Sequence, residues 1–265
     1  MFKILKNKVL GLVLLALFSG CNIYAPIDDD VHDHDFSVKE KFNYQIIPAD
    51  QDYLKLEGIN GTIRINATLN NELLIWGERI VGSESYSDAD EHLDYLRVEV
   101  TTYEDYVSVR TIQPSNSHGR SYEVDYHIEV PFFWDVAVQQ VNGPVMVDSL
   151  RGTLWCDLVN GNMHVTRLEG SLFSGITNGN FLGEIYLPES GTCDLHMVNG
   201  NIDLRIPEET QAELNAGVTN GSISVINLPL SYISQSRTHI YGILGNGNAE
   251  ISLGTVNGII MVRGI

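Results

Sequence analysis

Basic residues are scarce in this 265-residue chain, which has 16 Lys and Arg against 34 Asp and Glu and a formal net charge of −18. The segment from Met1 to Gly20 contains three of the lysines and no acid, so the rest of the chain carries −21. This excess of negative charge repels the phosphates of nucleic acids and of anionic lipids. The composition therefore argues against nucleic acid as a partner and is compatible with cations or basic partners.

Catalytic motifs are missing as well. The sequence has no glycine-rich phosphate loop with a lysine, no Gly-x-Ser-x-Gly, no His-Glu-x-x-His and no Cys-x-x-Cys. The histidines of its central and C-terminal parts are scattered and are more typical of surface residues than of ligands; they are His118, His127, His164, His196 and His239. We therefore expect a protein that is not an enzyme and needs no cofactor.

Long hydrophobic runs are also scarce, and the one clear example lies near the N-terminus, from Val9 to Phe18. Three lysines precede this run, and it is too short for a comfortable membrane span, so it is typical of the core of a signal peptide. Ser19-Gly20 directly before Cys21 resembles the bacterial lipobox, in which the cysteine is lipidated and becomes the new N-terminus. We predict a lipoprotein signal peptide over residues 1–20 and lipidation at Cys21, with an ordinary secretory signal as the alternative.

The segment after Cys21 is polar and acidic. Asn22 follows the cysteine, and in the lipoproteins of two-membrane bacteria that it resembles, Asn rather than Asp favours the outer membrane. Residues 21–40 contain few large apolar side chains, so we predict a flexible acidic tether before a folded domain over residues 41–265. Carboxylates and imidazoles can bind metals, but a disordered run preorganises no site. The weak metal candidates are Asp28, Asp30, His32 and His34.

One dipeptide, Asn-Gly, recurs eight times in the rest of the chain. It is the strongest short-range signal for a tight turn, because both residues tolerate positive φ. From Asn142 to Asn220 the successive spacings of the pairs are 18, 18, 21 and 21, and a turn at a nearly fixed period indicates a repeat architecture. The predicted repeat turns are Asn60-Gly61, Asn142-Gly143, Asn160-Gly161, Asn178-Gly179, Asn199-Gly200, Asn220-Gly221, Asn246-Gly247 and Asn257-Gly258.

The residues after each turn follow one rule. The second and fourth residues after the glycine are apolar, with Gly183 as the exception, whereas the first and third are mostly polar, so one side of each strand faces inward. A second glycine about halfway between turns, such as Gly152 or Gly170, divides each repeat into two short strands. We therefore predict an all-β, single-domain β-solenoid or β-roll with about two short strands per 18–21-residue coil. An antiparallel β-sandwich closed by hairpins is the alternative.

This register makes three further predictions. Cys156 and Cys193 lie two repeats apart, about 10 Å if neighbouring strands are about 4.8 Å apart, which exceeds the disulfide reach of about 7 Å between Cα atoms. Both are therefore expected to be buried free thiols. The side chains of His164 and His196 are expected to face outward. The asparagines of the turns are expected to form hydrogen-bonded ladders along one corner, with a glycan-binding strip as the alternative.

Two segments depart from the strand pattern. Residues Ser87 to Leu96 have a possible cap, acids in the first turn and an apolar edge, which predicts the one helix of the chain. The stretch from Pro229 to Gly245 delays the next Asn-Gly pair and is predicted to be a protruding excursion. Excursions of this kind can carry binding, although ordinary variation in loop length explains the sequence equally well.

The phrases around the turns resemble a bacterial family of uncharacterised β-strand-repeat domains that carries the label "putative adhesin". The resemblance extends from about Phe42 to Ile265 and includes the closing motif Asn248 to Gly258. It implies a β-solenoid-like fold on exported or membrane-attached proteins and supplies no catalytic residues. The family's acid after Asn-Gly is replaced here by asparagine in several repeats, which weakens any inference of a shared acidic surface. The phrases are Val-Asn-Gly at Val141, Val159 and Val198 and Thr-Asn-Gly at Thr177 and Thr219.

Three functions follow from these observations. The first is a non-enzymatic, membrane-anchored envelope lipoprotein whose rigid β-solenoid serves adhesion, ligand binding or envelope sensing, with an unknown protein or glycan as its ligand. The second is a carbohydrate-active β-helix enzyme similar to a polysaccharide lyase, which would need acids and Arg or Lys together on one outer face. The third is a purely structural component of the envelope.

Overall fold

The computed structural model describes residues 36–265, which consist of strands, connecting turns and one short helix, α1 (Tyr86–Leu93). Alternating apolar and polar residues, rich in Val, Ile and Leu, account for the strands. The strands are β1 Phe36–Ile46, β2 Tyr53–Glu57, β3 Ile63–Thr68, β4 Leu73–Ser83, β5 Arg97–Thr102, β6 Tyr106–Ile112, β7 Ser121–Pro131, β8 Asp135–Asn142, β9 Val145–Asp148, β10 Leu154–Asn160, β11 Met163–Glu169, β12 Leu172–Asn178, β13 Phe181–Tyr186, β14 Thr192–Asn199, β15 Ile202–Ile206, β16 Ala212–Ile226, β17 Leu230–Gln235, β18 His239–Leu244 and β19 Ala249–Gly264.

Hydrogen bonds join these 19 strands into one sheet that is not closed and that bends at the Asn-Gly turns. We call the strands that lead into the turns face A and the strands that leave them face B. Strands β16 and β19 pass through the turn without interruption and contribute to both faces. The predicted all-β, solenoid-like fold with two strands per coil is confirmed, and the antiparallel sandwich is wrong for the repeats, which pair in parallel.

The pairing register of strands in neighbouring coils matches the length of the repeat that separates them. On face A, Leu154 lies beside Leu172, one shorter repeat further along the chain, and Leu172 lies beside Cys193, one longer repeat further along. On face B, Met163 lies beside Phe181 and Phe181 beside Ile202. The asparagines and glycines of successive turns stay aligned in both cases, so the longer coils accommodate their extra residues away from the turns.

The order of the coils in space differs from their order along the chain. The coil β2–β3 lies between β6–β7 and β8–β9, so the first coil of the sequence is internal to the stack. At the other end, β19 lies between β14–β15 and β16, in parallel with both. The first and last coils of the chain are therefore each enclosed by two others, and on face B the sheet ends at β1 on one side and at β16 on the other.

The hydrophobic core fills the space between the two faces. It consists of the inward positions predicted from the repeat, including Ile63, Val145, Met163 and Ile260, which are all buried. The inward face of β16 is less protected after its turn, where Ile223 and Val225 are only partly buried because β16 is the last coil of the stack on face B. Burial therefore follows the predicted alternation and weakens at the end of the solenoid.

Cys156 and Cys193 are both buried and are free thiols, as the register predicts. Strand β12 separates them, since Cys156 lies beside Ser174 and Cys193 beside Leu172. Burial without a nearby positive charge disfavours the thiolate, which raises the pKa of Cys156 and raises the pKa of Cys193 to about 12.

We expect both thiols to be inert in the folded protein, because the thiolate is the reactive form and neither sulfur reaches solvent. A Cys21→Ser variant removes the third cysteine from the assay. Titration with a chromogenic disulfide reagent at neutral pH should give almost no reaction before denaturant is added and rapid modification of both thiols afterwards. Rapid labelling of the native variant would contradict the predicted burial.

Helix α1 begins earlier than predicted. Ser85, not Ser87, is the N-cap, and its hydroxyl accepts the Asp88 N–H at 3.2 Å. The side chain of Asp88 receives two hydrogen bonds from the Arg120 guanidinium, both at 2.6 Å, which together with Ser83 hold the pKa of the Asp88 carboxyl well below its usual range. This ion pair attaches the helix to the start of β7.

The stretch from Pro229 to Gly245 is not a protruding loop. It forms β17 and β18, an antiparallel hairpin that continues face A beyond β16. Leu230, Ile240 and Leu244 are buried against the core, so the hairpin covers the end of face A. Open-ended solenoids need such a cap, because the last coil has no further coil to cover its apolar side. The delay in the repeat is therefore a structural cap.

At the N-terminal side, β1 begins at Phe36, so residues 36–40 of the predicted tether are strand and pair with β4. The part of the chain that the structure describes has no helix long and apolar enough to cross a membrane. Cys21, Asp28, Asp30, His32 and His34 lie outside the described residues, as does the predicted signal peptide.

Candidate functional site

The asparagines of the turns form one continuous ladder. From the second asparagine onward, each side-chain Nδ2 donates to the Oδ1 of the preceding asparagine in the stack, at 2.8–2.9 Å. The first asparagine also donates to the carbonyl of Tyr122. Every amide is thus used by its neighbours, which leaves little of this corner for a ligand. The ladder runs in the order Asn60, Asn142, Asn160, Asn178, Asn199, Asn257 and Asn220.

Asn246-Gly247 does not belong to this ladder. It lies in the tight connection between β18 and β19, where Gly245 and Gly247 both have positive φ and the Gly247 N–H donates to the carbonyl of Leu244. The connection crosses the start of β16, which pairs with β18 on one side and with β19 on the other, so the dipeptide does not join face A to face B and the prediction of a repeat turn at this position is wrong. Asn-Gly suits both kinds of turn, and the residues alone do not distinguish them.

A second, shorter ladder runs beside the first on face B. Asn162 Oδ1 accepts the backbone N–H and the side chain of Asn180, and Asn180 Oδ1 accepts the same two groups of Asn201. Asn201 in turn accepts the N–H of Ile259. Asn162, Asn180 and Asn201, which directly follow three of the Asn-Gly turns, therefore have a structural role in this chain.

Replacing one ladder residue tests this role. Asn178→Ala removes two side-chain hydrogen bonds and is expected to destabilise the fold by about 1–2 kcal/mol, since a typical hydrogen bond contributes about 0.5–1.5 kcal/mol. Asn246→Ala is the matched control, because its side chain lies outside the ladder. Urea unfolding should show a lower midpoint for Asn178→Ala than for the control. Equal midpoints would mean that the ladder adds no stability.

The histidines form no metal site within the described part of the chain, where no group of three His, Cys, Asp or Glu side chains could hold an ion. His164 and His196 are both exposed, as the register predicts. A shallow pocket beside α1 contains His92, His118 and Arg120. Because the Arg120 guanidinium is already bound by Asp88, this pocket offers no free cation to an anionic ligand.

The outer side of face A carries a continuous row of aromatic side chains that crosses the strands, and we call it the aromatic strip. Tyr103 stacks on Tyr106 with ring centroids 4.4 Å apart, and Trp155 stacks on Phe173 at 6.0 Å. Tyr53 joins the two pairs, at 6.1 Å from Tyr106 and 6.2 Å from Trp155. Its ring reaches across β8 because the outward residue there is the small Ala137.

The strip is partly open to solvent: Tyr103 is 47% and Trp155 38% exposed, and Tyr53, Tyr106 and Phe173 are half-buried. Large aromatic side chains are usually buried in a folded protein, because burial removes about 150–250 Å² of each from water. A run of such rings on a surface is typical of an interaction site rather than of a protein surface without a partner.

A polar band lies next to the strip, on the positions two residues closer to the turns. The Asp157 carboxylate leans over Gly175, and burial raises the pKa of Asp157. His196 leans over Gly254 and pairs with Asp194 at 2.8 Å. The band contains Gln139, Asp157, Gly175, His196, Gly254 and Gly217, each beside the next in the sheet.

Exposed β-branched residues complete this surface on the turn side, and we call them the valine ridge. Val141, Val159, Val198 and Val256 are each between 39% and 43% exposed. The same repeat position is threonine in β12 and β16. The outer side of face A therefore has an apolar ridge, a polar band and, over part of its length, an aromatic strip, all running across the strands.

The sequence reading did not identify the aromatic strip, although a signal was present. Trp155 and Phe173 stand at the same distance before the asparagine of their turns, so the repeat places them side by side. The rule that outward positions are polar comes from the residues after the turns, which lie on face B. The strands before the turns, which form face A, follow a different outward pattern.

Comparison with known proteins identifies one family. The domain family described as Toastrack DUF4097 matches residues 87–263, about two thirds of the chain. No curated protein matches the sequence.

Several solved structures are similar over most of their length. A "putative cell adhesion protein" from Clostridium sporogenes ATCC 15579 is 12% identical with a TM-score of 0.49, and the alignment covers 86% of this chain and 100% of that one. A "putative adhesin" from Bacteroides fragilis NCTC 9343 is 10% identical with a TM-score of 0.28, covering 85% and 97%. A "putative lipid binding protein" from Parabacteroides distasonis ATCC 8503 is 10% identical with a TM-score of 0.26, covering 84% and 96%. These TM-scores are below 0.5, so the family match alone places the chain.

Proposed function

Because this chain belongs to the Toastrack DUF4097 family, we propose that it is a non-enzymatic envelope protein, anchored to the membrane through Cys21, whose rigid β-solenoid binds a ligand in adhesion. The observation that carries this proposal is the aromatic strip. Its rings are fixed on adjacent strands of a sheet, so binding would order few side chains and would cost little conformational entropy. The lipobox-like Ser19-Gly20-Cys21 supports attachment to the envelope, and Asn22 supports the outer membrane.

A polysaccharide lyase-like activity is the second candidate, and the charges on face A argue against it. From β8 to β16 the outward positions of this face include Asp135, Asp157, Asp194, Glu213 and Glu250 but no Lys or Arg. A lyase needs a positive group to stabilise the negative charge that develops when a proton is removed beside a carboxylate. The acids of this surface therefore suit hydrogen bonding to a ligand better than proton abstraction. A purely structural role remains the third candidate.

The strip can be tested with a double variant, Trp155→Ala with Phe173→Ala. Both side chains point outward, so the fold should be retained while binding is lost. The assay measures retention of purified protein on intact bacterial and host cell surfaces. The matched control is Trp76→Ala, which removes a tryptophan of similar exposure, 37%, from face B, where it stacks on His127 at 5.7 Å.

We expect the double variant to lose about fivefold or more in retention, if each ring contributes about 0.5–1.5 kcal/mol, and Trp76→Ala to bind like the parent. Equal retention of all three proteins would exclude the strip as the binding surface. No retention of the parent on any surface would favour the structural role.

A further inference from the structure

We propose that face A binds a linear, uncharged polysaccharide that lies across the strands, along the polar band, between the aromatic strip and the valine ridge. This inference rests on the proposed binding function and adds the chemical class and the orientation of the ligand. It follows from three properties of the surface: its charge, its alternation of apolar and polar rows, and its translational repeat.

The charge of the surface excludes polyanions. Asp157 lies within the polar band, and Asp194 lies two residues from it. Asp135, Glu213 and Glu250 lie four residues from the band on their strands, and the outward positions of face A between β8 and β16 have no Lys or Arg. Nucleic acids, anionic lipids and acidic glycans would all be repelled. Neutral hydroxyl groups are not repelled, and a carboxylate such as Asp157 can accept hydrogen bonds from them.

The rows match the two kinds of surface that a sugar presents. A pyranose ring has apolar C–H groups on its faces and hydroxyls around its edge, so it needs apolar contacts and hydrogen-bond partners close together. On face A, the Trp155 and Phe173 rings supply the apolar contact. Asp157 lies two residues from Trp155 on β10. His196 lies on β14 beside Gly175, which is two residues from Phe173 on β12. Residues two apart on a strand are separated by about 6.6 Å, which places both kinds of partner within one sugar residue.

The repeat of the surface fits a polymer rather than a small molecule. From β8 to β16 the polar band crosses six neighbouring strands, or roughly 24 Å at about 4.8 Å per strand. The band has no enclosing walls, so a ligand gains affinity by extending along it. An extended peptide usually adds to an exposed strand edge. Within face A the backbone groups of these strands are already paired with neighbouring strands.

Electrophoresis in gels that contain a polysaccharide tests the ligand class. The neutral polymers are a linear β-glucan, a xylan and a mannan, and the anionic polymers are polygalacturonate and heparin. We expect at least one neutral polymer to slow the protein and neither anionic one to do so. The Trp155→Ala, Phe173→Ala double variant should lose about fivefold or more of the apparent affinity, and Trp76→Ala should lose none.

Two further measurements examine the mode of binding. Affinity should change less than about twofold between roughly 0.05 and 0.5 M NaCl, because an uncharged ligand is not screened. Oligosaccharides of increasing length should bind more tightly until they span the band. Gly217→Phe should weaken only the longer ones, because Gly217 lies three strands from Phe173 and a Cβ there meets no heavy atom within 4 Å.

Retention on cells separates this inference from the proposed function. Periodate, which cleaves vicinal diols of sugars, should abolish retention, whereas proteinase treatment of the cell surface should not. Retention that depends on the strip but is lost only after proteinase treatment would support binding and overturn the polysaccharide. Binding to a neutral polymer that the double variant retains, or slowing only by anionic polymers, would also overturn it.

Discussion

A chain that ends at Asn248 is expected not to fold cooperatively, because the deletion removes β19 from the interior of the stack. Strand β19 pairs with β14 and β15 on one side and with β16 on the other. Without it, the coil β16 and its hairpin cap lose their parallel neighbour, and the edges of β14 and β15 become exposed. Deletion of the last strand of the sequence therefore removes an internal strand of the sheet.

The size of the effect follows from burial. Ile251, Leu253, Ile260 and Val262 of β19 are all buried. Each such side chain contributes about 1.5–3 kcal/mol when it is fully buried, and their sum is comparable to the whole stability of a typical domain, about 5–15 kcal/mol. Urea denaturation followed by circular dichroism should show no cooperative transition for the truncated chain. A transition at the midpoint of the parent would contradict the internal position of β19.

A pair of point variants measures the same strand without truncation. Leu253 faces the core and Val256 faces solvent, although both lie in β19. Leu253→Ala should cost about 2–5 kcal/mol, as is typical of a buried leucine, whereas Val256→Ala should change stability by about 0.5 kcal/mol or less. Similar losses for both would show that the strand does not have the register described above.

Gly200→Ala is expected to be the most damaging conservative substitution at the turns. The Gly200 backbone has φ of +141°, and a Cβ there would lie 1.5 Å from the carbonyl oxygen of Gly179 in the neighbouring coil. The coils approach so closely because each glycine N–H bonds to the coil beside it; between these two coils the Gly179 N–H donates to the carbonyl of Asn199 at 3.0 Å. A methyl group would have to separate two coils and break this contact.

Two other glycines separate the causes of the loss. At Gly119, φ is +81° but a Cβ would meet nothing within 4 Å, so Gly119→Ala reports backbone strain alone, about 1–3 kcal/mol. Gly217 has neither problem, and Gly217→Ala should be neutral or stabilising by about 0.4–1 kcal/mol.

The loss of stability from Gly200→Ala should exceed about 4 kcal/mol, a range that requires steric conflict in the fold. Urea midpoints in the order Gly217, Gly119, Gly200, from highest to lowest, would support this account. A Gly200→Ala midpoint equal to that of Gly119→Ala would show that the coils can separate without cost.

Much of the scaffold could be predicted because the repeat is a local property. Asn160-Gly161 and Asn178-Gly179 mark turns wherever they lie, and the apolar residues that follow, such as Met163 and Phe181, report which side of the strand is buried. Two buried free thiols also followed from counting repeats. At Asn246-Gly247 the prediction of a repeat turn fails because Asn-Gly suits several kinds of tight turn, and the dipeptide alone does not show which strands it joins.

The aromatic strip was harder to predict because its members come from different parts of the repeat. Trp155 and Phe173 share a repeat position, but Tyr53 stands at another one and Tyr103 lies in a connection before β6. Only the placement of β2 beside β8 brings Tyr53 to Trp155. Which strands pair depends on all the strand edges that are available as partners, and a local sequence pattern does not show which of them will pair.

The sequence by itself determined the all-β class, the period of the coils, the inward and outward sides of the strands and the free state of Cys156 and Cys193. Each of these depends on local backbone geometry or on alternation along one strand. Only the tertiary structure decided that the first and last coils lie inside the stack and that residues 229–245 cap its end. It also decided that the rings of Tyr53, Trp155 and Phe173 form one surface. The order of the parallel strands depends on which strand edges pair and which apolar faces pack together, and both are properties of the whole fold.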